Sequence, residues 1–249
     1  SFGLLNDVEQ WTLLDPVYKA YTKNLCGYAE RGEKEWKRLL GSFFAEGVNI
    51  AVVKNNTNEI EGYAVYRLDS PEIPVTEFVY TTRRAQRGLL NYFYNHRSQG
   101  ESIRWNEGLH DTGYRFVPDG KTGHITMPYM MARIVDVETA LTTVPVNPEA
   151  VMMPITLTIK ITDSLCTWND GVFELTLGES ITPKVKRVSD VAKEDIDITI
   201  DVGGLAVLLM GAVSAKDLVF EGKLDGESHW IDYLDMVYPK QNTYINEWW

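Results

Sequence analysis

Four histidines and two cysteines are the side chains best suited to hold a metal, attack a carbonyl or shuttle a proton, and their spacing in this 249-residue chain argues against all three roles. His96, His110, His124 and His229 form no i, i+4 pair and no H-E-x-x-H, so no helical turn offers two imidazoles to one ion. His110-Asp111 is adjacent in sequence, which does not by itself bring the two side chains together. A surface or capping role accounts for each histidine. Cys26 and Cys166 stand far apart, with no second cysteine near either. That makes neither a disulfide framework nor the start of a zinc site, and it fits a reducing cytoplasm. No G-x-S-x-G elbow and no G-x-x-x-x-G-K-S/T loop is present, which removes the usual serine-nucleophile and nucleotide signatures. Gly203-Gly204 precedes an apolar run and has two readings: backbone N–H groups cradling an anion at a helix start, or a tight strand-to-helix turn.

The segment Thr81-Thr82-Arg83-Arg84-Ala85-Gln86-Arg87-Gly88-Leu89-Leu90 follows a strand-like run and opens a helical one. A helix start of that kind can aim N–H groups at a phosphate. The segment resembles the acetyl-CoA site of GNAT-superfamily N-acetyltransferases, which carry Q/R-x-x-G-x-G/A there. Only Gly88 matches; Leu90 takes the place of the second small residue, and its side chain would obstruct a phosphate. The resemblance therefore implies a GNAT-type strand–helix unit that has lost its cofactor site.

The elements that would position these residues fall into two groups. Asp15-Pro16 reads as N-cap and first helical residue, with the helix running through Leu25 and stopped at Gly27. Residues 33–44 repeat Trp36, Leu39, Leu40 and Phe43 at spacings of three and four, a second helix. Residues 48–53, 61–68 and 74–82 are strand-like, with a polar turn at 55–58. Residues 83–96 return to helix, and 103–105 form a short strand. This is an α+β unit around a sheet. From Met131 the pattern restarts. Residues 132–137 read as a strand leading into a helix at 138–141. Residues 155–162 alternate with apolar residues at odd numbers, and 172–177 make the hairpin partner, with Asn169-Asp170-Gly171 as a turn that tolerates positive φ. Residues 196–202 alternate again, 205–210 form an apolar helix, and Ser214 with Asp217 caps another.

The chain has 24 Lys plus Arg against 35 Asp plus Glu, a formal charge of −11. A phosphate-tracking protein needs the opposite balance, so nucleic acid is excluded as a partner. A cationic partner and plain solubility both suit the charge. With 44% apolar residues and 7 Trp, 13 Tyr and 8 Phe, the composition is that of a folded chain. No stretch reaches the roughly 18 apolar residues of a membrane span. Ser1-Phe2-Gly3-Leu4-Leu5 has no basic region and no long apolar run, so it does not read as a signal peptide. The missing initiator Met points to a processed piece of a longer protein.

A wider resemblance now covers nearly the whole chain. Asp15-Pro16-Val17-Tyr18-Lys19-Ala20-Tyr21, Trp36-Lys37-Arg38-Leu39-Leu40, Gly62-Tyr63-Ala64-Val65-Tyr66-Arg67, Gly88-Leu89-Leu90-Asn91-Tyr92 and Ile103-Arg104-Trp105 resemble the central domain of Eis-type (enhanced intracellular survival) N-acetyltransferases. Met131-Ala132-Arg133-Ile134-Val135-Asp136-Val137, Ile161-Thr162-Asp163, Trp168-Asn169-Asp170-Gly171-Val172-Phe173 and Gly211-Ala212-Val213-Ser214-Ala215-Lys216-Asp217-Leu218 resemble that family's sterol-carrier-protein-like domain. The resemblance implies an α+β chain with a degenerate, non-catalytic GNAT-like domain at 1–130 and a sterol-carrier-protein-like domain with the C-terminal tail at 131–249. It implies that the catalytic domain, with its acetyl-CoA site and catalytic tyrosine, is absent from this sequence. It further implies acetyl-CoA as cofactor on that absent domain, a cationic amine (aminoglycoside, polyamine or lysine) as substrate, a hexamer and a cytoplasmic location.

In that family the terminal carboxylate serves as general base, and here the matching group is the α-carboxylate of Trp249. A carboxylate desolvated among aromatics is a stronger base, and Glu247 and Trp248 would form the substrate-binding end. A hydrophobic anchor is the other reading of Trp248-Trp249. Three roles follow: part of an amine N-acetyltransferase, a module holding a lipid or other apolar ligand along helix 205–210, or a scaffold for oligomerisation.

Overall fold

The computed structural model describes residues 1–111, 113–116, 123–126, 130–180 and 182–247. The chain divides into two compact units, Ser1–Asp119 together with Thr243–Trp249, and Gly120–Asn242. Trp248 and Trp249 lie outside the described residues.

In the first unit β1 (Phe2–Leu5) is followed by α1 (Trp11–Thr22), α2 (Glu33–Ala45), β2 (Asn49–Lys54), β3 (Ile60–Tyr66), β4 (Glu72–Tyr80), α3 (Arg83–Asn95) and β5 (Ser102–Trp105). The strands lie in chain order, antiparallel from β1 to β4, with β5 parallel to β4. The middle of the sheet is covered on both faces. Ile50, Val52, Tyr63 and Val65 pack with α1 and α2, whereas Ala51, Val53, Ala64 and Tyr66 pack with α3. Burial on both sides is why 50–53 and 63–66 read as continuous apolar runs. α3 lies close to the sheet because two glycines permit it: a Cβ on Gly62 would stand 3.1 Å from the Ala85 Cβ on α3, and one on Gly88 would stand 3.2 Å from Val53 on β2.

α1 departs from its expected start. A turn over Val8–Gln10, capped by the Asp7 carboxylate on the Glu9 N–H, leads into the helix at Trp11. Pro16 therefore sits inside the helix, where it removes one backbone hydrogen bond. Asp15 does not cap; it accepts from Trp36 Nε1 at 3.0 Å and pairs with Lys19 at 2.7 Å. The helix ends at Thr22, before Leu25. Gly27, at φ 81°, turns the loop beyond it.

The second unit contains α4 (Val137–Thr143), β6 (Ile155–Thr162), β7 (Gly171–Leu177), β8 (Lys184–Val188), β9 (Ile198–Asp201), α5 (Val202–Leu209), α6 (Ala215–Phe220), β10 (Leu224–Gly226) and α7 (Ser228–Val237). Its sheet runs β10-β9-β6-β7-β8, with β6 and β9 parallel and the remaining pairs antiparallel. Leu157, Ile159 and Ile161 face the core together with Phe173 and Leu175, as the alternation required. Residues 132–136 are not a strand. Asp136 instead caps α4, its carboxylate accepting from the Thr139 N–H at 2.7 Å.

The β6–β7 connection does not use positive φ at Asn169, Asp170 or Gly171. It is held by side chains. Asp163 accepts from the N–H groups of Leu165 (3.0 Å) and Cys166 (2.9 Å), from Asn169 Nδ2 (3.1 Å) and from Arg133 (2.8 Å). The buried Asn169 also accepts from the Val137 N–H at 3.1 Å, so one corner fixes the start of α4. The Cys166 N–H, then Asn169, Leu165 and Arg133, hold the Asp163 carboxyl well below the usual carboxylate range against the opposing effect of desolvation. A depressed carboxylate stabilises the fold above its unfolded pKa and loses that contribution as pH falls through the folded value. Asp163→Asn should therefore lower the melting temperature of the chain at pH 7 by several degrees. The difference from the parent should shrink as the pH is taken below about 4, measured by calorimetry across that range; a difference that stays constant with pH would refute the role.

Candidate functional site

The described part of the tail, residues 243–247, pairs with the first unit. Cys26 and Thr243 form a parallel bridge, and the Tyr244 N–H donates to the Cys26 carbonyl at 2.9 Å. Tyr244 packs edge-on against Tyr21, ring centroids 5.5 Å apart. Further along, Asn246 Nδ2 donates to the carbonyl of Thr76 on β4. β5 pairs with β4 only from Glu72 to Val75, so the tail meets β4 just beyond the point where that pairing ends.

Arg31 lies at the centre of this contact, immediately before the Gly32 N-cap of α2. Its guanidinium stands 4.2 Å from the ring centroid of Tyr18 and 4.7 Å from that of Trp36. Nη1 and Nη2 donate to the two oxygens of Glu77 on β4, at 3.2 and 2.6 Å, and Nε donates to Glu247 at 2.7 Å. Tyr63 Oη donates to Glu77 at 2.6 Å. Arg31 and Glu77 are buried, and the Glu247 side chain is only 10% exposed. Burial works to lower the Arg31 pKa, but the Glu77 charge and hydrogen bond outweigh it and hold the guanidinium charged. Burial, and then Glu77, push the Tyr63 hydroxyl far above its ordinary value, so it remains a donor. None of these groups is free to act on a substrate. The arrangement grips a chain segment. Glu247, expected to attract a cationic amine, is engaged by Arg31.

A second cluster lies in the same unit. Ala20, Tyr21, Tyr80, Thr81, His110 and Asp111 line an open cleft of about 450 Å³. Tyr80 Oη donates to the buried Asp111 carboxylate and accepts from Gln86 Nε2 at 3.0 Å. Asp111 also accepts from the Gly113 N–H at 2.8 Å. Burial raises the Tyr21 and Tyr80 pKa values, with Asp111 adding to both, so each phenol stays neutral. Burial lowers the His110 pKa against the pull of Asp111, and its buried Nδ1 has no hydrogen-bond partner among the described residues. Sequence reasoning gave His110 a surface or capping role, whereas it is half-buried in this cleft. The available signal was the number of tyrosines at nearby element ends, Tyr21 and Tyr80.

The start of α3 does not suit a pyrophosphate. Thr82 is the N-cap, its hydroxyl accepting from the Ala85 N–H at 3.1 Å. The Glu61 carboxylate faces the same helix end, accepting from Thr82 Oγ1 at 3.1 Å and pairing with Arg84 at 2.6 Å. The Arg84 hydrogen bond, then Thr82, keep Glu61 ionised below its ordinary range despite some desolvation. A fixed anion stands where a second would have to bind. Gly88 and Leu90 lie within the helix, Leu90 packing on its core, so the obstruction is the Thr82–Glu61 cap rather than the Leu90 side chain. Calorimetric titration of the chain with CoA should show no saturable binding in the micromolar range, about −8 kcal/mol. Micromolar binding would make residues 81–88 a working site.

Elsewhere the candidates have structural partners. Asp201 caps α5 by accepting from the Gly204 N–H at 2.6 Å, which occupies the proposed anion cradle. Leu205, Ala206, Leu208 and Leu209 are buried in the second unit's core. His96 lies against Tyr92, centroids 4.4 Å apart, with Nδ1 2.8 Å from the Tyr92 carbonyl. His124 and His229 are exposed. Among the described residues no group of three His, Cys, Asp or Glu could hold a metal, and no helix is long and apolar enough to cross a membrane.

Two domain families match successive parts of the chain, the second of them running on into the tail. Residues 27–134 match an acetyltransferase (GNAT) domain family, and residues 137–246 match a sterol carrier protein domain family. A search of curated proteins finds no match. Similar solved structures include a conserved protein of unknown function from Enterococcus faecalis, described as a probable N-acyltransferase (22% identity, TM-score 0.85). Two others are a GCN5-related N-acetyltransferase from Anabaena variabilis (16%, 0.75) and Eis1 from Mycobacterium abscessus (19%, 0.62). Each likeness covers all of this chain and 62% of the other. The chain thus combines a GNAT-type domain with a sterol-carrier-protein-type domain in a mixed α+β fold, and it spans under two thirds of the length of these relatives.

Proposed function

We propose that this chain is the C-terminal two-domain portion of an acetyl-CoA-dependent amine N-acetyltransferase of the Eis type, and that it delivers the Trp249 carboxylate to a catalytic domain preceding it. The observation that carries this reading is the tail. Residues 243–247 are gripped at a defined place in a GNAT-type unit, so the two residues beyond Glu247 leave from a fixed anchor. The solved relatives support it by their additional length, and one of them is Eis1 from Mycobacterium abscessus.

On this reading acetyl-CoA binds the preceding domain, since the α3 start here is capped by Thr82 and faced by Glu61. The acceptor is a cationic amine, an aminoglycoside, a polyamine or a lysine side chain, drawn by the −11 charge. Glu247 docks the tail and adds to that negative field, Trp248 flanks the acceptor, and the Trp249 carboxylate takes the amine proton before attack. The two domains also scaffold a hexamer in the cytoplasm. The intact mass of the protein purified from its native source tests the first step. The expected mass exceeds 28.3 kDa by about one domain; a native mass equal to that of this chain would overturn it and favour the binding-module reading.

A further inference from the structure

We infer that Arg31 is the positioning residue for the tail, a latch that joins Glu77 on β4 to Glu247 through adjacent edges of one guanidinium that share Nη2. Glu77 alone already satisfies the charge of Arg31, taking both terminal nitrogens at 3.2 and 2.6 Å and receiving Tyr63 Oη as well. A folded sheet needs nothing more there. The remaining Nε–H donates to Glu247 at 2.7 Å, and the same Glu247 oxygen also stands 2.7 Å from Nη2. Two carboxylates on one guanidinium leave an excess buried negative charge. The desolvation cost of the second carboxylate has to be offset by the hydrogen bonds and charge contact it makes with Arg31.

The rest of the tail's seat is weaker than it looks. Asn246 Nδ2 donates to the Thr76 carbonyl, but its own buried Oδ1 has no hydrogen-bond partner among the described residues, which opposes docking. The backbone bridge at Cys26 and Thr243 is a single one. Beyond the buried Tyr244, which packs on Tyr21, the docking of residues 245–247 rests chiefly on the charged Arg31–Glu247 contact. From Glu247 the chain's end is at most about 7 Å away, at ~3.3–3.6 Å per residue, so the latch limits where the terminal carboxylate can go. The inference bears on the proposed base but does not need it, because the latch can be read without any acetylation assay.

The test uses the whole chain. Glu247→Ala removes the tail's side of the latch and leaves the Arg31–Glu77–Tyr63 cluster intact, so folding is preserved; Glu247→Gln keeps an acceptor for Nε without the charge. Two readouts are followed: hydrogen exchange of the amides from Tyr244 to Glu247, and release of the terminal tryptophans by carboxypeptidase. Both should speed up roughly 10–100-fold in Glu247→Ala, the range for losing a hydrogen bond between charged groups, and by an intermediate factor in Glu247→Gln, with exchange of the β3 and β4 amides unchanged. Tail exchange and carboxypeptidase release equal to the parent's in Glu247→Ala would overturn the latch. A latch that passes while the base proposal fails would leave Arg31 as an anchor of the tail alone.

Discussion

If the Trp249 carboxylate is the base, as proposed, adding one glycine after Trp249 should lower acetylation of a polyamine or aminoglycoside by the longer parent protein roughly 10²–10⁴-fold, the usual contribution of a general base. The reasoning is geometric. Glu247 is fixed to Arg31 at 2.7 Å, so the terminal carboxylate is set by a two-residue reach from a stationary point. An extra residue moves it by about 3.3 Å or more. A base has to stand roughly 2.6–3.2 Å from the group it deprotonates, a tolerance much smaller than that displacement. Deleting Trp249 shifts the carboxylate by the same distance in the other direction and should cost a similar factor. The glycine extension is the sharper variant because it keeps both tryptophans. A tail that merely anchors would accept it with little change, and an extended enzyme turning over at the parent's rate would remove Trp249 from the catalytic residues. Carboxypeptidase sensitivity measured on the same extended protein shows whether the tail is still docked, so a lost base can be told from a lost tail.

The residues of the fold that sequence reading found are those whose neighbours are close in the chain. The odd-numbered apolar series of β6, the spacing of Trp36, Leu39, Leu40 and Phe43 on α2, and the Ser214–Asp217 cap of α6 are local patterns, and each produced its element. Errors came where a local signal had two uses. Asp15-Pro16 has the form of a helix start, but Asp15 serves Trp36 in another helix, and the actual start depends on Asp7 and Gln10 upstream. Residues 132–136 have strand-like composition but gain no sheet partner; Asp136 is a cap. β1, β8 and β10 are edge strands of three to five residues, too short to show a period. α7 did carry a helical signal in Ile231, Leu234 and Val237, which went unread.

The site was legible only in part, for the same reason. Resemblance directed attention to Glu247, Trp248 and Trp249, but the partner of Glu247 is Arg31, 216 positions away. No spacing rule connects the two. The surroundings of Arg31 come from four separate elements: Tyr18 on α1, Trp36 on α2, Tyr63 on β3 and Glu77 on β4. A single arginine before a glycine, in a chain with 24 basic residues, does not announce that it is buried. Its one outward sign was the glutamate at position 77. Glu77 interrupts the apolar residues of β4 at a position that the sheet buries, where a carboxylate requires a cationic or hydrogen-bonding partner.

That requirement gives the largest expected effect on stability. Arg31→Met should destabilise the first unit by about 3–5 kcal/mol, because it leaves the Glu77 carboxylate buried without its cation. The loss comes from the orphaned charge more than from the missing attraction, and a second substitution separates the two. Gln at position 77 can still accept from Tyr63 Oη but carries no charge, so the double variant Arg31→Met/Glu77→Gln should recover much of the deficit, a coupling of roughly 2 kcal/mol or more. Glu247→Ala, by contrast, should change the stability of the unit by under about 1 kcal/mol, since Arg31 and Glu77 remain paired. Hydrogen exchange of the slowest amides in β3 and β4 reports the opening free energy of this unit separately from the second. A double variant as unstable as the two single losses combined would mean that Arg31 supports the fold through its packing between Tyr18 and Trp36, 4.2 and 4.7 Å away. An Arg31→Met protein within about 0.5 kcal/mol of the parent would show that Glu77 needs no cation there at all.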